Sequence, residues 1–225
     1  MSIQFSLCGS IFEKINLSST FNCFSSKNKD KIQTIINDIN ILLANNDNNK
    51  EFICNHILNK IIQITNSEYG FIGKIIIEDN ELILQTYAIT NIAWNSASHQ
   101  FYLDHLNHGL RFTNMETLFG KVMTNNKSMI FNKYDTKRTV LPNGHPLIKR
   151  FMGVVSNAQF DDHSVIMVGM CNKLENYNKK DVKNVQKLLD ILAYLFIDLD
   201  NFNQKTKYDK LKENHDKLIS CMKGL

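Results

Sequence analysis

The chain carries five cysteines, seven histidines and 22 acidic residues, and their spacing is the first test of whether it does chemistry. Cys8, Cys23, Cys54, Cys171 and Cys221 form no CxxC pair and share no regular interval. Neither a zinc site nor a disulfide framework is expected, and a reducing compartment is the default. His105 and His108 stand three residues apart, close enough on a helix to share a metal, with Asp104 and His99 nearby. No cysteine or further carboxylate completes that set, so a solvated polar helix is the plainer reading and no metal is assigned. Asp161, Asp162 and His163 lie between two apolar runs, where polar residues make a hairpin tip rather than a catalytic group. No Ser-His-Asp set, phosphate-cradling glycine loop, HExxH motif or kinase ATP-binding region occurs. The sequence assigns no catalytic residue, and the chain is not expected to be an enzyme.

Binding is the remaining kind of chemistry. The stretch "LPNGHPLIKRFMGV", 141–154, holds both prolines of the chain, Pro142 and Pro146. Each proline fixes its own φ and biases the residue before it away from helix, which restricts the loop at Leu141 and at His145. Pro146 also suits the first position of a one-turn helix over 147–150. Basic groups flank the loop in "KYDTKR" at 133–138 and at Lys149-Arg150. They could hold an anion through charge-assisted hydrogen bonds, although loop charges more commonly face water. Trp94, the single tryptophan, either caps a ligand or closes the core.

Composition narrows the partners. The formal charge of +4 comes from lysines mixed with acids, and no stretch is basic with interleaved aromatics, so nucleic acid is not an expected partner. No run of about 18 apolar residues occurs, and the N-terminus lacks the basic-then-apolar pattern of a leader. A soluble cytoplasmic protein without a membrane partner is expected.

The elements that must position these residues follow from periodicity. Residues 1–27 mix Ser, Asn and Phe with no sustained period and read as a loosely ordered arm. Ile32, Ile35, Ile36, Ile39, Leu42 and Leu43 recur at three- and four-residue steps, the stripe of an amphipathic helix. A second helix is expected over 51–65, then a hairpin with strands at 70–78 and 81–89. Short helices are expected in "SASHQFYLDHLN", 96–107, and in "METLFGKVMTN", 115–125, the latter with Asn114 as N-cap. "SMIFN" reads as a short strand, and "FMGVVSNAQF" and "SVIMVGMCNK" as a second hairpin. From Asn178 to Met222 there is no glycine or proline, and Asn178 with Asp181 three residues on forms a capping box. That helix would be about 67 Å long, with Tyr208, Leu211, His215, Leu218 and Met222 as a short coiled-coil seam. The expected division is an arm over 1–27, a domain over 28–200 and a helical extension over 201–225.

This α+β order with an antiparallel sheet resembles a GAF domain, particularly those of bacterial hybrid sensor histidine kinases. The resemblance is carried by "SEYGFIGKI" at 67–75, "AITNIAWN" at 88–95, "TLFGKVMTNNKSMI" at 117–130, "LPNGHPLIKRFMGV" at 141–154, and "VGMCNK" at 168–173. It implies a central antiparallel sheet of five or six strands with helices on both faces and a long C-terminal helix. In the family the first and last helices pack on one face, often as a dimer bundle, and short helices and loops enclose a pocket on the other. The candidate pocket residues here are Trp94, Phe119, His145, Leu147, Phe151 and Met170.

The resemblance also tests ligands. Phytochrome-type members attach a bilin through a Cys-His dipeptide eight residues before Met-Gly-Val. His145 occupies the histidine's place, but the cysteine's place is Gly144, which has no nucleophile, so a covalent bilin is not expected. Cyclic-nucleotide-binding members carry Asn-Lys, then a Phe and an Asp-Glu pair; here the positions are Asn172, Lys173, Tyr177, Asp181 and Val182. Lys173 and Asp181 are expected to form a structural ion pair fastening the last strand to the long helix. One enzymatic lineage reduces methionine sulfoxide with clustered cysteines, a spacing that Cys54 and Cys171 do not show. The identity of any ligand or cofactor stays open. Two roles are expected. One is a non-catalytic sensory homodimer that binds a small molecule and signals through its terminal helices to a separate partner. The other is a ligand-free scaffold that dimerises or docks a partner through its long helix.

Overall fold

The computed structural model describes residues 33–35, 37–39, 41–42, 49–90, 96, 100, 109–133, 145–160 and 162–223. The arm at 1–27, Trp94, Pro142, Gly144 and the three histidines at 99, 105 and 108 lie outside the described residues, as does all of the expected 96–107 helix except Ser96 and Gln100.

Among the described residues, three helices and six strands have defined bounds. They are α1 (Lys50–Thr65), β1 (Tyr69–Glu78), β2 (Glu81–Ile89), β3 (Arg111–Phe112), α2 (Leu118–Asn125), β4 (Met129–Phe131), β5 (Phe151–Gln159), β6 (Val165–Cys171) and α3 (Lys179–Lys223). All strand pairs are antiparallel, in the order β3-β2-β1-β6-β5-β4. The β1–β2 turn lacks glycine, and Asp79 and Asn80 both take left-handed φ values, 50° and 64°. That is the primed turn geometry whose twist matches a hairpin.

The sheet is covered on both faces. On one face Ile72, Met152, Val154, Ile166, Val168 and Met170 pack against Ile53, Ile57 and Ile61 of α1, against the Val185-Leu189-Leu192-Phe196 stripe of α3, and against Ile35 and Ile39 of the helical residues between 33 and 42. On the other face Ile75, Leu84, Phe151, Val155, Val165, Met167 and Cys171 pack against Leu118, Val122 and Met123 of α2. β6 is buried at all seven positions because it is central and covered twice.

Two local expectations change, and one strand, β3, is unannounced by the sequence. The α2 N-cap is Thr117, whose Oγ1 accepts from Gly120 N at 3.0 Å, while Asn114 forms an earlier turn by accepting from Glu116 N at 3.0 Å. Residues 147–150 form no helical turn, because their backbone groups bond to Asn172 instead. β3 has no periodicity to announce it. It is held by Thr86, whose Oγ1 accepts from Leu110 N at 2.8 Å and whose N donates to Leu110 O at 2.9 Å.

α3 opens as a capping box. Asn178 Oδ1 accepts from Lys180 N and Asp181 N, and Asp181 Oδ2 accepts from Asn178 N at 2.9 Å. Phe196, fully buried on this helix, meets Tyr87 edge-on with ring centroids 5.4 Å apart. Phe196→Ala should cost about 3–5 kcal/mol, read as a lower urea midpoint at unchanged m-value. A loss under 1 kcal/mol would contradict the packing described.

Candidate functional site

The α2-covered face of the sheet is laid out in rows set by strand register. Tyr69 pairs with Cys171, Cys171 with Phe151, and Phe151 with Phe131, so these four side chains form one row across β1, β6, β5 and β4. Two residues further in, Phe71 pairs with Gly169, Gly169 with Gly153, and Gly153 with Met129. The middle of this second row therefore has no side chains. A Cβ on Gly169 would stand 2.3 Å from the Phe71 ring, and one on Gly153 would stand 2.6 Å from the Val122 side chain. These glycines let an aromatic ring and α2 approach the sheet backbone. Phe119 of α2 meets Phe71 edge-on at 6.3 Å between centroids and Phe112 at 5.5 Å, which joins β1, β3 and α2 in one aromatic group.

The expected pocket residues divide accordingly. Phe119 and Phe151 belong to this face, and His145 reaches it through an edge contact with Tyr69 at 6.4 Å. Leu147 is 55% exposed on the flanking loop. Met170 is not brought together with them: it lies on the opposite face, where its sulfur crosses Gly70 within the α1/α3 core. Trp94 lies outside the described residues. Sequence reasoning missed Tyr69, Phe71 and Phe131, although "SEYGFIGKI" displays the first two at the alternate spacing that puts them on one face.

Burial sets the electrostatics. It pushes the Cys171 thiol up to about 12 and raises the Tyr69 phenol far above its usual range, so both are protonated at neutral pH. It also lowers the His145 imidazole, whose Nδ1 lies 2.7 Å from Pro146 O. Tyr69 Oη is buried beside the Cys171 thiol, a weak donor and acceptor, and among the described residues has no hydrogen-bond partner of normal geometry. Among the described residues no three His, Cys, Asp or Glu side chains are grouped to hold a metal, and no helix is long and apolar enough to cross a membrane.

A polar cluster fixes this end of the sheet. Asn172, just past β6 at φ 59°, accepts on Oδ1 from Lys149 N at 2.8 Å and Arg150 N at 3.4 Å. Its Nδ2 donates to Leu147 O and Glu68 Oε2, each at 2.9 Å, and its backbone N donates to Arg150 O at 2.9 Å. Arg150 reaches Asn176 Oδ1 at 3.1 Å and Lys173 O at 3.3 Å. Lys173 Nζ sits between both carboxylate oxygens of Asp181, at 2.9 and 2.8 Å, the ion pair from strand end to helix start. Tyr177 Oη hydrogen-bonds with Ser67 Oγ at 2.7 Å, and Asn132 brackets the Tyr177 backbone at 2.8 and 2.9 Å. Asn172, Lys173, Tyr177 and Asp181 thus serve this cluster rather than facing the α2-covered row.

No family model and no curated protein matches the sequence. Solved structures do resemble the fold. The GAF domain of an Acinetobacter phosphoenolpyruvate-protein phosphotransferase superposes with a TM-score of 0.57 at 13% identity, covering 80% of this chain and 99% of that one. The GAF domain of a Coxiella burnetii phosphoenolpyruvate-protein phosphotransferase gives 0.55 at 13% identity, covering 78% and 95%.

The buried thiols make a prediction. An unfolded thiol titrates near 8.5 and Cys171 in the fold near 12. Between those values the native state keeps a proton that the unfolded state releases. Stability is therefore full below about pH 8.5 and declines as pH rises, by up to about 1.4 kcal/mol per unit for this group. Urea denaturation at pH 8 and 9.5 should show that decline, and Cys171→Ala should make it shallower. An unchanged slope would contradict the burial of the thiol. With 13% identity the two superpositions speak for architecture, and the architecture of this chain is that of a GAF domain.

Proposed function

We propose that the chain is a non-catalytic sensory module that binds a small molecule on the α2-covered face and signals through its terminal helices. The observation that carries this reading is the juxtaposition of that face with the Asn172 cluster. The loop at 145–150 contributes His145 to the edge of the aromatic row, and the same loop is bonded through Asn172 and Lys173 to the first turn of α3. A ligand that favours one placement of the loop has a direct mechanical route to the helix, provided it binds the two placements with different affinity. The proposed lining is Tyr69, Phe71, Phe119, Phe131, Phe151 and His145, with Trp94 and Leu147 as further candidates. A cytoplasmic setting fits the reduced Cys54 and Cys171, which are buried on opposite faces and form no disulfide.

A second reading, a scaffold that dimerises through α3 without a ligand, is favoured by one observation. Tyr194, Tyr208 and Leu211 are 41%, 66% and 60% exposed. Tyr194 and Tyr208 are two heptads apart and Leu211 follows at three residues, the spacing of a helix–helix seam. The side chains of His215, Leu218 and Met222, expected to continue it, lie outside the described residues. In this reading the partner is a second copy or a separate signalling protein.

Native mass spectrometry of the purified protein, with an absorption scan, separates the two. A stoichiometric bound small molecule is the outcome expected of the sensor. An empty, colourless dimer that becomes monomeric when residues 203–225 are removed would overturn it in favour of the scaffold.

A further inference from the structure

We propose that the ligand of the α2-covered face is an uncharged aromatic ring bearing one hydrogen-bonding group, with that group anchored on Tyr69 Oη; this rests on the small-molecule reading above. The first observation is Tyr69 Oη itself, enclosed and without a partner among the described residues. Buried hydroxyls in native folds are almost always bonded, and an orphan marks a place where something else supplies the bond. The second is what surrounds it. Phe151 and Phe131 continue its row, with ring centroids 6.3 Å apart. Beyond them the Phe71 ring lies over Gly169 and the Val122 side chain over Gly153, with Phe119 edge-on to Phe71. Such a surface favours a flat ring, through edge and offset contacts.

The third observation is where the charges are. Glu68 accepts from Asn172, Arg150 donates to Asn176 and to the Lys173 carbonyl, and Lys173 is held between the oxygens of Asp181. None of these bonds is made towards the aromatic row. The histidine at its edge is kept neutral by burial at physiological pH. A charged ligand would give up its hydration here, and among the described residues the charges just named, already bonded elsewhere, would not replace it. A neutral ring with one donor or acceptor would satisfy the tyrosine and lose little.

Three probes of one shape test this on the full chain by NMR titration: phenol, benzoate and toluene. Phenol should bind about ten-fold tighter than toluene, the worth of one hydrogen bond, and benzoate should bind at least as weakly as toluene. Tyr69→Phe should erase the advantage of phenol while leaving toluene unchanged. Its melting temperature should equal or exceed that of the parent, because a hydroxyl with no partner contributes nothing to the apo fold. Benzoate binding as well as phenol, Tyr69→Phe keeping the phenol advantage, or a marked loss of melting temperature in Tyr69→Phe would each overturn the assignment. The sensory reading fails separately. A charged metabolite that co-purifies at full occupancy with both parent and Tyr69→Phe would overturn this ligand class and leave sensing intact. An empty protein that binds none of the three probes would overturn both.

Discussion

The side chain of Asn172 joins three pieces of the fold at one point: the end of β6, the 147–150 loop and the entrance to β1. Its carbonyl oxygen takes the N–H groups of Lys149 and Arg150, and its amide nitrogen gives to Leu147 and to Glu68 at the entrance to β1. Asparagine tolerates the left-handed conformation this position requires better than a branched residue does. It can also donate and accept from one planar group. The result is that a loop with no regular structure is bonded to the end of the central strand as firmly as a strand would be. Lys173, the next residue, extends the tie to Asp181 in the first turn of α3, where the same carboxylate also completes the helix cap. One short segment therefore determines where the loop lies, where the long helix begins and how the sheet ends.

The division of labour between the two faces follows. The face under α1 and α3 is an aliphatic core with one edge-on aromatic pair, Tyr87 and Phe196, and it gives α3 a rigid seat. The other face combines aliphatic side chains with an aromatic row, a thiol and two paired glycines, under an eight-residue helix. The first arrangement suits an element that must not shift locally. The second packs rings and a helix close against the sheet backbone at Gly169 and Gly153. The β5–β6 pairing slips between Val155 and Gln159, and Ser156 bonds the freed groups at Ile166 N and Ala158 O. This irregularity lies away from the aromatic row and beside α3, where Asp190 accepts from both the backbone and the side-chain nitrogen of Asn157.

Much of this was legible in the sequence, and the failures have physical causes. The helix over 50–65, the two hairpins and the capping box at Asn178 are local patterns, and each appears within a residue or two of its expected place. Met170, a candidate pocket residue from the resemblance, sits in a strand that is apolar or glycine from Val165 to Cys171. A strand buried on both faces has no alternation, and only its register against Tyr69 and Phe151 shows that Cys171 and Gly169 face the aromatics while Met170 faces the helices. The one-turn helix after Pro146 was a sound local expectation overridden by a contact more than twenty residues away, since Asn172 takes the N–H groups that the turn would leave exposed. Asn114 and Thr117 are both good caps three residues apart, and Gly120 decides between them. A Cβ there would stand 2.4 Å from the Met115 backbone, so the chain folds back tightly before the helix begins at Leu118.

Hydrogen exchange on Asn172→Gly tests the central claim most directly, because glycine keeps the left-handed backbone and removes only the side-chain bonds. The account predicts faster exchange at the Lys149 amide and in the first turn of α3, with the interior of β1 and β6 as protected as in the parent. Unchanged protection at Lys149, or a uniform loss across the whole sheet, would contradict the claim that this one side chain couples the loop to the helix.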